Sequence, residues 1–318
     1  MINIYQTDQR TGHVMEISSE IIGGMDLNNK WIHLTNPTDQ EIELVARATG
    51  VSEDTIKAAL DEEERARIEV EDEATLTIFD IPKIEEESNY FSYSTMPFGF
   101  IITKTTTITV CLKETSLTHS FTNNRVKTFS TYKKSRFLYL LLYNTHVKYL
   151  QYLRQIDKAS ARIQNELHKS TKNKELIQLL DLENSLVYFS TSLKANGVVI
   201  EKLNRTDIIK RYEEDMDLIE DVAIENRQAQ EMCNIYRDIL ASTMDAYASV
   251  ISNNLNIVMK LLTSLTVILS IPTLLASLWG MNTGVPFQGK AWGFYVVTAI
   301  SLIATIIVTV ILYRKKML

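Results

Sequence analysis

The chain has 318 residues, longer than one compact core usually serves, which predicts two or more structural units. Its 33 Lys and Arg against 39 Asp and Glu leave a formal charge of −6, which excludes the broadly positive face that a nucleic-acid binder needs. The two cysteines, Cys111 and Cys233, lie far apart and outside any CxxC pattern, so a disulfide framework and a thiolate metal site are both excluded and a reducing, cytosolic setting fits.

The first ten residues, MINIYQTDQR, lack a basic stretch followed by an apolar one, so no cleavable signal peptide is expected. From Met1 to about residue 130 the pattern is mixed. Runs rich in β-branched and aromatic residues, Thr75 to Ile81 and Phe98 to Leu112, predict strands. Thr38 to Ala48 and Ser52 to Leu60 carry apolar residues at spacings of three and four, which predicts helices capped by Thr38 and Ser52 and stopped at Gly50. The expected fold of this part is α+β, an α/β domain of strands and covering helices.

From Thr131 to Ile271 there is no proline and only Gly197 among glycines, so long helices are expected. Two antiparallel ones are predicted at Leu138 to Leu180 and Leu182 to Leu203. A third begins at Asp207 and continues through Asp221, Asp245 and Met259 as a stalk. Leu261 to Trp279 and Ala291 to Tyr313 then carry no charge, and each is long enough for a bilayer, which takes roughly 20 residues. Trp279 and Trp292 border the short loop between them. Lys260 precedes the first span, and Arg314, Lys315 and Lys316 follow the second, a bias that puts both termini in the cytoplasm of a two-span membrane protein. The domain reading is therefore 1–130 α/β domain, 131–258 helical bundle and stalk, and 259–318 transmembrane domain.

Polar residues of the first span, Thr263, Thr266, Ser270, Thr273 and Ser277, recur at intervals of three and four and share one helix face. Continued backwards, the stripe meets Met259 and Asn256; continued forwards, it meets Gly280. Small hydroxyl residues of this kind let membrane helices pack closely, and they also line water-filled paths. Periodicity alone leaves both readings open.

Gly280-Met281-Asn282 closes the first span. With Trp31-Ile32-His33-Leu34, the run Leu60 to Glu69, Tyr236-Arg237-Asp238, Asn256 to Lys260 and Tyr313 to Lys316, it makes the chain resemble the CorA family of divalent-cation channels along essentially its whole length. The resemblance implies a funnel-shaped homopentamer in the lipid bilayer, carrying Mg2+ and, as further candidate cargoes, Co2+ or Ni2+. It implies a pore lined by the first spans, with Asn282 receiving the hydrated ion, Met281 packing sideways, and a threonine ring at Thr273. Leu262 and Met259 would form an apolar constriction above Asn256. Ser270 stands where relatives often carry methionine. Val285-Pro286-Phe287-Gln288 replaces the relatives' Met-Pro-Glu-Leu, which removes an acidic ring from the mouth.

The resemblance further places regulatory Mg2+ on Asp221 and Asp245. The partner position falls on Ala58, leaving the nearby acids Asp61, Glu62 and Glu63 as substitutes. A zinc carrier of the ZntB branch and a membrane-anchored scaffold that moves no ion are the competing readings. No GxxxxGK[ST], HExxH or GxSxG motif is present, and His13, His33, His119, His146 and His168 are dispersed, so neither an enzyme nor a nucleotide-driven pump is expected.

Overall fold

The computed structural model describes residues 1–17, 26–71, 74–87, 90–169, 173–206, 208–210, 212–287 and 289–317. The chain divides into two compact units, Met1–Ala241 and Ser242–Leu318.

The first unit is built on one seven-stranded sheet. In chain order its strands are β1 (Ile2–Thr7), β2 (Val14–Ile17), β3 (Trp31–Thr35), β4 (Arg67–Val70), β5 (Ala74–Glu87), β6 (Tyr90–Thr103) and β7 (Thr107–Cys111). Their spatial order is β2-β1-β3-β7-β6-β5-β4; the β3–β7 pair is parallel and the others are antiparallel. The run expected as one strand, Phe98 to Leu112, is two. Thr103 N–H donates to Thr106 O at 3.0 Å and Thr106 N–H to the Thr103 hydroxyl at 2.9 Å, a turn that the β-branched composition concealed.

Both faces of the sheet are covered, so its central strands are apolar on both sides and alternate between two cores. Ile32, Leu34, Ile78, Ile101 and Val110 point into one core, with α1 (Asp39–Thr49) and α2 (Glu53–Lys57). Trp31, Phe79, Phe98, Phe100 and Cys111 point into the other. There they meet α3 (Ser116–Thr122), α4 (Lys134–Lys169), α5 (Asn173–Arg205) and the start of α6 (Met216–Trp279). Trp31 packs edge-on against Phe129 and Phe137, with centroids 5.8 and 4.9 Å away, and is fully buried. Truncating an aromatic so placed costs about 3–5 kcal/mol.

The caps of α1 and α2 are those expected. Thr38 and Glu41 form a reciprocal capping box, Ser52 accepts from Thr55 N–H, and Gly50 ends α1 with φ of 74°, a left-handed conformation suited to glycine. The predicted break at residue 181 is absent: Leu179, Leu182 and Leu186 are all buried on one face of a single α5, so the apolar period runs straight through Asp181. The predicted extension of the preceding helix to Leu180 is corrected with it, since α4 ends at Lys169 and α5 starts at Asn173. Asp207 lies outside the described residues. A short 3-10 turn, Glu213–Asp215, precedes α6, which begins at Met216.

The second unit holds the C-terminal half of α6 and the whole of α7 (Ala291–Arg314). Both helices include stretches long and apolar enough to cross a membrane, and almost none of that surface is buried within the chain. Ser264 is the exception in α6. It is fully buried and donates its hydroxyl to Met317 O at 2.9 Å, tying the start of the first span to the end of the second.

Candidate ion-conduction site

The predicted polar stripe exists as a face of α6. Thr263, Thr266, Ser270, Thr273 and Ser277 are all exposed. Three of these hydroxyls share one arrangement. Thr266 donates to Leu262 O at 2.8 Å, Ser270 to Thr266 O at 2.7 Å, and Thr273 to Leu269 O at 2.9 Å. Such back-bonding is open to Ser and Thr in a helix, and it uses the only proton each hydroxyl has. What each presents outward is oxygen lone pairs. A face of acceptors suits a hydrated cation, whose waters point their protons away from the metal.

Pro272 sits inside α6 next to Thr273. It has no N–H, so the Ile268 carbonyl loses its helical partner and one more acceptor is added at this level of the helix. Towards the other end the stripe turns apolar. Leu262 and Met259 are 57% and 52% exposed, and Asn256 beyond them is exposed.

At its C-terminal end α6 stops at Trp279. Gly280 N–H still donates to Ala276 O at 2.9 Å, so the helical bonding runs one residue past Trp279. Its φ is not in the left-handed region. Gly280, Met281 and Asn282 are exposed. The loop that follows returns to the helix it left: Trp279 Nε1 donates to Pro286 O at 3.2 Å. Lys290, the one basic residue of the loop, holds its ammonium 5.5 Å from the Trp292 ring centroid. Gln288 lies outside the described residues. Between the two spans a crevice of about 740 Å3 opens, lined by residues that include Pro272, Ala276, Phe294 and Val297.

Of the four acids expected to sense magnesium, two lie on α6 and two in the turn before β4. Asp221 lies in the first compact unit and Asp245 in the second, both exposed on α6. Asp61 and Glu62 are exposed in the turn before β4, where Asp61 Oδ1 accepts from Glu63 N–H at 3.0 Å. Among the described residues no group of three or more His, Cys, Asp or Glu is placed to hold a metal ion. Sequence reasoning also missed Ser264 and Gly293, the buried residue of α7. The only signal for Gly293 was a lone glycine near the start of an apolar run.

The family model described as "CorA-like Mg2+ transporter protein" matches residues 26–315. The cobalt/magnesium transport protein CorA of Methanocaldococcus jannaschii is 26% identical over 312 residues, 96% of each chain. The protein of the same description from Thermotoga maritima is 27% identical over 171 residues, 54% of this chain and 49% of its own. The fold is that of the complete structure of the CorA magnesium transporter from Methanocaldococcus jannaschii, with a TM-score of 0.82 at 23% identity, covering 98% of this chain and 96% of that one.

Proposed function

From the premise that this chain belongs to the CorA-like Mg2+ transporter protein family, we propose that it forms a homopentameric magnesium channel whose pore is lined by the acceptor face of α6. Family membership makes it an ion transporter and not an enzyme, and a membrane protein with two candidate spans. The full-length match to a cobalt/magnesium transport protein favours Mg2+ cargo, with Co2+ beside it, over a ZntB-like zinc carrier or a scaffold that moves no ion.

The observation that carries the proposed pore is the set of three back-bonded hydroxyls, Thr266, Ser270 and Thr273, on the helix that ends at Gly280-Met281-Asn282. Magnesium sheds its waters reluctantly, so it is recognised through them. Five Asn282 carbonyls at the mouth accept from the first waters. Rings of Thr273, Ser270 and Thr266 oxygens then hand the hydrated ion inward, and Leu262 and Met259 form a constriction that closes by excluding water. Residues 1–130 and 131–258 serve as cytoplasmic domain and stalk, and 259–318 as the pore. Lys260, Arg314, Lys315 and Lys316 support cytoplasmic termini. Ion entry then follows the membrane potential, at about 2.3 kcal/mol per charge per 100 mV. Bound cytoplasmic Mg2+, held by Asp221 and Asp245 with Asp61 or Glu62 of a neighbouring subunit, keeps the assembly closed; hard carboxylate oxygens are the ligands it takes.

Uptake into liposomes loaded with a magnesium-sensitive dye tests the reading. Wild type should admit Mg2+, and Asn282→Ala should admit almost none while keeping its oligomer. Wild-type uptake by that variant would remove Asn282 from the mouth.

A further inference from the structure

The outer loop carries an unfavourable backbone conformation held by its contacts with the start of α7. Phe287 has a φ of 70°, in the left-handed region that bulky residues avoid, so the surroundings must impose it. Three contacts do so. The Phe287 ring lies 4.9 Å from that of Trp292, its carbonyl accepts from Lys290 N–H at 3.2 Å, and its backbone rests on the first turn of α7 at Gly293. The approach at Gly293 is close. A Cβ there would stand 2.9 Å from the Phe287 carbonyl oxygen and 3.1 Å from its Cβ, and the first of these is backbone that cannot rotate away. One residue earlier in the same turn, the Pro286 carbonyl accepts the bond from Trp279 Nε1. Trp279 is the last residue of α6, and Gly280 follows it directly.

We propose that Pro286 and Phe287 form a latch between the outer ends of the two spans, and that Gly293 is a positioning residue which, through Phe287 and Trp279, sets the place of Gly280-Met281-Asn282. The inference rests on the reading of those three residues as the mouth. The glycine lets the loop sit against α7; the loop fixes Trp279; Trp279 fixes the helix end from which the mouth residues project. The latch also gives the loop a role without an acidic side chain. In this chain it acts on the mouth by position, since Val285, Pro286 and Phe287 carry no charge and the Lys290 ammonium is drawn to Trp292.

The test is Mg2+ uptake by the full chain in liposomes, read as initial rate against external Mg2+ concentration. Misplacing a recognition group by about 1 Å can cost on the order of a hundredfold, so the few tenths of an ångström demanded by a Cβ at Gly293 should cost about tenfold in half-saturating Mg2+. Gly293→Ala should show that rise with its oligomer intact. Adding Phe287→Gly, which removes one contact and frees the backbone to move, should restore most of the loss. Trp279→Phe, which deletes the donor to Pro286 while keeping an aromatic ring, should raise the half-saturating concentration by itself and add little to Gly293→Ala, because both act through one contact chain. Should Gly293→Ala fail to assemble, Trp279→Phe alone decides. Wild-type half-saturation in these variants, or a Gly293→Ala loss that Phe287→Gly leaves untouched, overturns the latch. If Asn282→Ala transports normally, the mouth assignment fails instead, whatever the latch variants do.

Discussion

Asn226 of α6 donates its side-chain amide to His146 Nε2 of α4 at 2.9 Å, inside the first unit where both residues are buried. The other ring nitrogen of His146 lies 2.7 Å from Leu142 O, a carbonyl that can only accept. His146 is therefore neutral with its proton on Nδ1, and Asn226 reads that tautomer. Asn226 also donates to Leu193 O of α5 at 3.1 Å, and Gln230 to the same carbonyl at 3.0 Å, so one polar cluster joins three helices. Gly197 stands beside it: a Cβ there would meet Gln230 Nε2 at 2.9 Å and Asn226 Oδ1 at 3.0 Å.

This cluster gives the first unit an acid sensitivity. Burial holds the His146 imidazole down to about 4, and burial likewise holds His33 at about 4. The folded value lies below the unfolded one of about 6.5, so between them the unfolded chain binds more protons. The stabilisation is complete above about pH 6.5 and is lost as pH falls towards 4, by up to about 3 kcal/mol for His146 at roughly 1.4 kcal/mol per pKa unit. Thermal unfolding of the detergent-solubilised protein from pH 7.5 to 4.5 should show the decline. His146→Phe should be less stable at pH 7.5 yet flatter with pH below 6.5. An equal slope in that variant would place the sensitivity elsewhere.

Gly99 of β6 faces the 3-10 turn Ala58–Leu60, and a Cβ on it would stand 2.7 Å from the Ala59 Cβ. Neither atom is on a flexible side chain, so the sheet and the turn must separate. Gly99→Ala should destabilise the first unit by about 1–3 kcal/mol, the range for overpacking a core. A lowered midpoint of thermal unfolding reads it, and an unchanged midpoint would mean that the turn yields freely.

The proposed constriction predicts a leak. Leu262→Asn puts an amide where apolar side chains are meant to exclude water. Passive Mg2+ flux under closing conditions should rise about tenfold or more, the change that about 1.4 kcal/mol off a barrier gives. Unchanged flux from a correctly inserted Leu262→Asn channel would move the constriction off this ring.

The regulatory proposal is tested by protease. A cation shared by Asp221, Asp245 and a neighbour's acids favours the closed assembly only through its higher affinity for that state. Millimolar-range Mg2+ should slow cleavage of the wild-type protein in detergent, and the Asp221→Ala, Asp245→Ala double variant should lose that protection. Protection that persists in the variant rules these residues out as the sensor.

Much of this could be read from the chain because it depends on local or periodic signals. Thr38, Ser52 and Gly50 cap and stop their helices through neighbours three or four residues away, and the two uncharged spans need only length and composition. The α6 stripe follows from 3.6-residue periodicity, and Gly280-Met281-Asn282 stands directly at its end, where the proposed mouth is placed. Tertiary structure decided what depends on distant partners. The division of Phe98 to Leu112 into two strands came from a side-chain bond at Thr103, and the continuity of α5 through Asp181 came from the core that its leucines meet. The neutral tautomer of His146 needs Asn226, 80 residues away. Whether the stripe hydroxyls offer donors or acceptors was undecided in the sequence, because a hydroxyl can do either; the backbone carbonyls at Leu262, Thr266 and Leu269 take the protons and leave the oxygens facing outward.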